Sequence, residues 1–153
     1  AGGAARATWA AAYERGMALR VAARHPAAAW EALSALGLSS AKTISLDALD
    51  ELAEALAMSS ILINATSVGM GDPLASPLSA ELLAHLSPNA LVFDMVYAPP
   101  ETALLRAARA RGLLHVAVGL EMLLEQGAAA FELWTGLSAP IAVMRAALNS
   151  EAE

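Results

Sequence analysis

Short apolar runs alternate along the chain with longer stretches whose apolar positions recur at helical spacing. Residues 17–23 (MALRVAA), 42–46 (KTISL), 60–64 (SILIN), 91–95 (LVFDM) and 114–118 (LHVAV) are the short runs. They read as strands, and the nearly continuous apolar run at 17–23 is that of a strand covered on both faces, as in a parallel sheet. Helices are predicted over 4–15, 26–36, 47–58, 79–85, 101–111, 120–135 and 140–148. Gly16, Gly37, Gly112 and Gly136 follow four of these stretches, where a left-handed residue ends a helix at no steric cost. Pro26 suits a first helical turn, which has no use for its missing N–H. Asp47 is expected to cap the third helix, with Asp50 and Glu51 complementing its positive end. Gly69, Gly71, Pro73 and Pro77 mark a loop after the third run, and Pro99 and Pro100 break the chain after the fourth.

Strands and helices therefore alternate and the chain closes on two helices, which predicts an α/β, doubly wound parallel sheet. The 153 residues fit one domain. About a quarter of them are alanine, far above ordinary usage. With aromatics at only 5%, the core must be built mainly from Leu, Val, Ile, Met and Ala. Cysteine is absent, which removes disulfides and thiolate metal sites and fits a reducing, cytoplasmic setting. A net charge of −6 with scattered arginines argues against a nucleic-acid surface. No apolar stretch approaches the ~20 residues of a membrane span, and the first residues lack the order of a signal peptide. His25, His85 and His115 lack metal-ligand spacing, and no G-x-S-x-G elbow occurs.

Several positions carry candidate chemistry. Gly2 and Gly3 stand at a helix entrance, where backbone N–H groups and the helix dipole favour a phosphate. In dinucleotide-binding folds such a loop follows the first strand, yet no strand precedes it here. Taken alone, the two glycines equally fit a frayed terminus. The second segment ends at Ala23-Arg24-His25, and no acid occurs from Arg15 to Trp30. A carboxylate there would hold a ribose diol and repel a 2′-phosphate, whereas the planar fork of Arg24 can bind one. His25 before Pro26 reads as a turn residue or a second phosphate contact. The small polar residues 64–69 and Asp94 fall at strand ends, the rim where α/β ligands bind; residues 64–69 read equally as a tight turn made by Asn, Ser and Gly, which could coexist with that role. Asp94 reads as an acid–base group or, more simply, as a structural carboxylate. Met122 and Gln126 are four apart on one helix face; unaided, they read as a core and a solvated residue.

Five motifs occur in order: Gly2-Gly3-Ala4-Ala5-Arg6, residues 64–70 (NATSVGM), 94–97 (DMVY), 119–127 (GLEMLLEQG) and 131–136 (FELWTG). Together they closely resemble the C-terminal, NADP-binding half of the shikimate dehydrogenases, over nearly the whole chain. The resemblance implies a Rossmann-like fold whose first strand is missing from this chain, which would begin inside the phosphate-binding loop. It implies reversible reduction of 3-dehydroshikimate to shikimate with NADPH. It implies NADP contacts at Gly2, Gly3, Ala4, Arg24, His25, Thr66, Ser67, Val68, Met95, Gly119 and Met122, and substrate contacts at Tyr97 and Gln126. At Gly119 the expected reason for glycine is close approach of the nicotinamide carboxamide. No catalytic residue is expected here, because the family's catalytic Lys and Asp lie in an N-terminal domain absent from this chain. Lys42 reads as a solvated strand-end residue. The missing strand should lie between 17–23 and 60–64, leaving each with an unpaired edge and the chain alone prone to aggregate.

The chain departs from the family pattern at three points. Ala23 and His25 replace the usual Asn and Thr around Arg24, and Val118 replaces an Asp before Gly119. Phe131, Leu133 and Trp134 are expected to pack their helix on its own sheet or on the partner domain. A quinate/shikimate-type or related two-domain dehydrogenase and a non-catalytic nucleotide-binding module remain alternatives. Monomer and homodimer both stay open.

Overall fold

The computed structural model describes residues 2–150, which divide into two compact units, residues 2–60 with 79–88 and residues 61–78 with 89–150. The first unit holds α1 (Gly3–Glu14), β1 (Arg20–Ala23), α2 (Pro26–Ser34), β2 (Lys42–Ser45), α3 (Leu49–Ala57) and α4 (Ala80–Leu83). β1 and β2 are parallel, with Arg20 opposite Lys42 and Ala23 opposite Ser45. Their core is Trp9, Val21, Ala29, Leu33 and Leu38, ringed by Ala5, Leu19, Ala23, Ala32 and Ala41. So many alanines let the backbones approach closely, and Trp9 supplies the bulk that they lack.

The second unit holds β3 (Ile61–Asn64), β4 (Leu91–Asp94), α5 (Ala103–Ala110), β5 (His115–Val118), α6 (Leu120–Thr135) and α7 (Ile141–Ser150). Its three strands are parallel in the order β3-β4-β5. The register sets Asn64 beside Asp94 and Asp94 beside Val118, so the three strands end level. α5 covers them with the fully buried Leu104, Leu105 and Ala108. α6 ends at Gly136, whose φ of +70° is the left-handed stop read from the sequence. Gly127 faces α7, where a Cβ would stand 3.1 Å from the flexible end of Met144. Glu121 and Arg145 pair between α6 and α7, and that bond raises the guanidinium's pKa above its ordinary value.

The alternation and parallel pairing agree with the sequence reading. β1 and β3, each expected to carry an unpaired edge, belong to different sheets. Local differences have local causes. β1 starts at Arg20 rather than residue 17, because pairing with β2 begins there and Met17 and Ala18 are exposed. Asp47 does not cap α3. Ala48 occupies that place with no side-chain cap, and the Asp47 N–H donates instead to Ser45 Oγ at 3.2 Å. Lys42 is solvated as expected, 3.6 Å from the Glu51 carboxylate. Among the described residues, no helix is long and apolar enough to cross a membrane.

Candidate functional site

The first unit contributes two places. Gly2 caps α1 with extended backbone, Gly3 and Ala4 form its first turn, and all three are exposed. A Cβ on either glycine would meet nothing within 4 Å, so no protein atom requires glycine there. Arg24 follows the last residue of β1, exposed and without an ion pair among the described residues. His25, also exposed, caps α2 through its backbone while its side chain makes no capping bond. Pro26 follows at the first helical position, as the sequence predicts.

The second unit contributes a rim at the level ends of β3, β4 and β5. Asn64 ends β3 and is buried. Its Oδ1 accepts from the Thr66 N–H at 3.1 Å and from the Thr66 hydroxyl at 2.7 Å. Thr66 Oγ1 in turn accepts the Val68 N–H at 3.1 Å. These are the side-chain-to-backbone bonds by which Asn and Thr fold tight turns. Gly69 closes the turn with φ at +99°, a conformation that excludes most other residues. Thr66 and Ser67 are exposed and Val68 is half-buried.

Asp94 ends β4 and is fully buried. Its Oδ1 accepts from Asn64 Nδ2 at 2.9 Å and the Val96 N–H at 3.0 Å, and its Oδ2 accepts the Thr102 hydroxyl at 2.6 Å. Thr102, itself buried, accepts the Leu105 N–H at 3.3 Å and so caps α5. Among the described residues the Asp94 carboxyl bonds only these buried or backbone groups, the setting of a structural carboxylate.

Gly119 follows β5 and opens α6. A Cβ there would lie 2.1 Å from the Met95 carbonyl oxygen and 2.6 Å from its carbonyl carbon. The residue's φ of −66° suits any amino acid, so space alone demands glycine. The Met95 backbone is thus a reason for glycine here that stands beside the close ligand approach expected from the sequence. Met95 and Gly119 are thus brought together; Met95 is half-buried, and its N–H donates to the Asn64 carbonyl at 3.0 Å. Tyr97 is exposed just beyond the end of β4. Met122 is half-buried in the first turn of α6 and Gln126 exposed one turn on. Leu133 and Trp134 are 83% and 82% exposed, so they do not pack α6 on its own sheet; Phe131 is half-buried.

Asn64 and Thr102 organise this rim; the tight turn expected at Asn64 is present, while Thr102 carried no expectation. Nothing in the linear order placed Asn64 beside Asp94, since strand register alone does so.

A parallel α/β sheet with small polar turns and a crowded glycine at its carboxyl rim defines a domain of the Rossmann-like, nucleotide-binding class. A family model described as Shikimate 5′-dehydrogenase C-terminal domain matches residues 119–148. A shikimate dehydrogenase (NADP(+)) of Halobacterium salinarum is 45% identical over 98% of this chain and 53% of its own length. The solved Thermus thermophilus shikimate 5-dehydrogenase, in complex with NADP(H) and shikimate, superposes with a TM-score of 0.79 at 40% identity, over 97% of this chain and 52% of its own. A Corynebacterium glutamicum quinate dehydrogenase in complex with NAD superposes at 0.81 with 29% identity, over 98% and 52%. Over nearly its whole length the chain is similar to shikimate dehydrogenases, and residues 119–148 match the model of their C-terminal domain. It spans about half the length of the curated relatives it matches.

Proposed function

We propose that this chain is the NADP-binding part of a shikimate dehydrogenase, an enzyme that reversibly reduces 3-dehydroshikimate to shikimate. Bound NADPH would supply the hydride. The residues of this chain bind and orient; a second, N-terminal domain supplies the Lys and Asp that move the proton. Gly2, Gly3 and Ala4 offer backbone N–H groups at the head of α1 to the pyrophosphate, where the helix dipole favours an anion. Arg24 takes the 2′-phosphate with its planar fork, and His25 lies next to it in sequence. Thr66, Ser67 and Val68 run beside the dinucleotide. Met95, Gly119 and Met122 form the nicotinamide end, with the Met122 thioether against the ring. Tyr97 and Gln126 reach the hydroxyls of the substrate ring, the amide donating and accepting at once.

One observation carries this reading: nearly the whole chain aligns at 45% identity with a protein named for shikimate and NADP(+). The exposed, unpaired Arg24, in a stretch free of acids, supports the phosphorylated cofactor independently. The quinate alternative draws on the similarity to the Corynebacterium enzyme and on the loss of the Asn and Thr that usually flank Arg24. The test is to assay the intact protein with shikimate and quinate, each with NADP and with NAD. Shikimate-dependent NADPH formation at a kcat/KM at least tenfold above every other pairing is expected. A preference for quinate with NAD would favour the alternative, and no activity with any pairing would overturn the dehydrogenase reading. A cytoplasmic location is part of this reading, in keeping with the absence of cysteine.

A further inference from the structure

The Asn64 carboxamide has two acceptor and two donor places, and all four are filled. Oδ1 takes both Thr66 groups, while Nδ2 donates to Asp94 Oδ1 and to the Val68 carbonyl at 3.2 Å. The carboxyl of Asp94 and the Val68 carbonyl accept, and the Thr66 N–H can only donate. The amide therefore has one satisfactory orientation, and its oxygen must face Thr66. That oxygen draws the Thr66 hydroxyl proton inward. The Thr66 oxygen then receives the Val68 N–H, so the hydroxyl has no proton left to donate to a ligand. Ser67 is exposed next door, and its hydroxyl makes no hydrogen bond among the described residues.

We propose that Asp94 and Asn64 form a buried positioning pair that orients the 66–69 turn, committing the Thr66 hydroxyl to the fold and leaving Ser67 to donate to the bound dinucleotide. Asp94 touches no residue of that turn through a side-chain hydrogen bond, so it acts through Asn64. Anchored also to Thr102 and the Val96 N–H, the carboxyl cannot swing away to release the amide. Thr66 is thereby a turn-forming residue, and the ligand contacts of this loop fall to Ser67 and to the backbone. The assignment rests on the NADP reading for its ligand but not for its geometry.

The experiment follows amide exchange residue by residue by NMR in the intact, unliganded protein, and NADP affinity by titration. Asp94→Asn should speed exchange at the Thr66 and Val68 N–H groups about tenfold, although residue 94 does not touch them, because its amide can turn a donor toward Asn64. Thr66→Val should do the same at Val68, and Thr66→Ser should restore protection. Both Thr66 changes lie at an exposed position and should leave the protein folded. Ser67→Ala should leave exchange unchanged and weaken NADP about five- to tenfold, as expected for one lost hydrogen bond. Wild-type exchange in the turn of Asp94→Asn, with only a lowered Tm, would overturn the positioning role. A Thr66→Val protein that loses NADP affinity without any change in exchange would overturn the division of labour between Thr66 and Ser67. If the wild-type protein binds no NADP at all, the cofactor reading fails and the exchange results still decide the pair.

Discussion

Gly119→Ala isolates the contact that joins the ends of β4 and β5. The new methyl would be 2.1 Å from the Met95 carbonyl oxygen, 2.6 Å from its carbon and 3.1 Å from its Cα. Two non-bonded heavy atoms of these kinds need more than 3 Å, so backbone must move by about 1 Å. Neither side gives easily: Met95 is held by the bond to the Asn64 carbonyl, and the Gly119 N–H donates to the Val96 carbonyl at 3.4 Å. Overpacking costs about 1–3 kcal/mol where side chains can adjust, and backbone on both sides puts this site at or above the upper end, about 3 kcal/mol. For a protein of this size or somewhat larger that is roughly a 6–12 °C fall in Tm. Gly127→Ala on the same helix is the internal control. Its methyl would meet only the flexible end of Met144 at 3.1 Å, and replacing a mid-helix glycine gains up to about 1 kcal/mol. Thermal unfolding of the two variants beside the wild type should separate them by at least 6 °C. A Gly119→Ala protein as stable as Gly127→Ala would refute the argument that the Met95 backbone leaves no room for a side chain here.

Other expectations follow from the same geometry. Arg24→Asp in the intact enzyme should weaken NADP about ten- to a hundredfold and NAD little, the value of one charge-assisted contact of about 1.5–3 kcal/mol; equal losses for both cofactors would remove Arg24 from the discrimination. Gln126→Ala should raise the KM for shikimate or lower turnover about fivefold with NADP binding nearly unchanged, whereas a defect confined to the cofactor would refute its assignment to substrate. Thr102→Val deletes both the bond to Asp94 and the cap of α5, so urea unfolding should show a loss of about 2–3 kcal/mol, largely regained in Thr102→Ser. Glu81 accepts from its own N–H and from Ser79, which holds its carboxyl below the ordinary range. Its folded value being the lower one, its contribution is present above the ordinary carboxylate value and is lost as the pH falls through the folded value. An NMR titration should show the Glu81 midpoint rising in Ser79→Ala.

Order and type of elements were written in the sequence. Apolar runs of strand length, glycines after helices and Pro26 at a helix entrance are local signals, and local steric and hydrogen-bonding rules decode them. Even the extent of α6, Leu120–Thr135, follows from the helical spacing and Gly136. The absence of acids around Arg24 is likewise a linear fact, and electrostatics converts it into the expectation of a phosphate there. Family motifs added roles for Met95, Tyr97, Met122 and Gln126 that periodicity alone reads as core or solvent.

The tertiary structure decided what depends on neighbours distant in sequence. Asp47 matches the capping preference, yet Ala48 took the position because the turn after β2 ties the Asp47 N–H to Ser45. The crowding of Gly119 against the Met95 carbonyl and the bonds of Asp94 to Asn64 and Thr102 appear only once the strands are side by side. Periodicity tells which way a side chain points from its own backbone. What it points at depends on strand register, which sets Asn64 beside Asp94 across thirty residues of chain. Buried hydrogen bonds and excluded volume act between such neighbours, so they become visible only when the sheet is assembled.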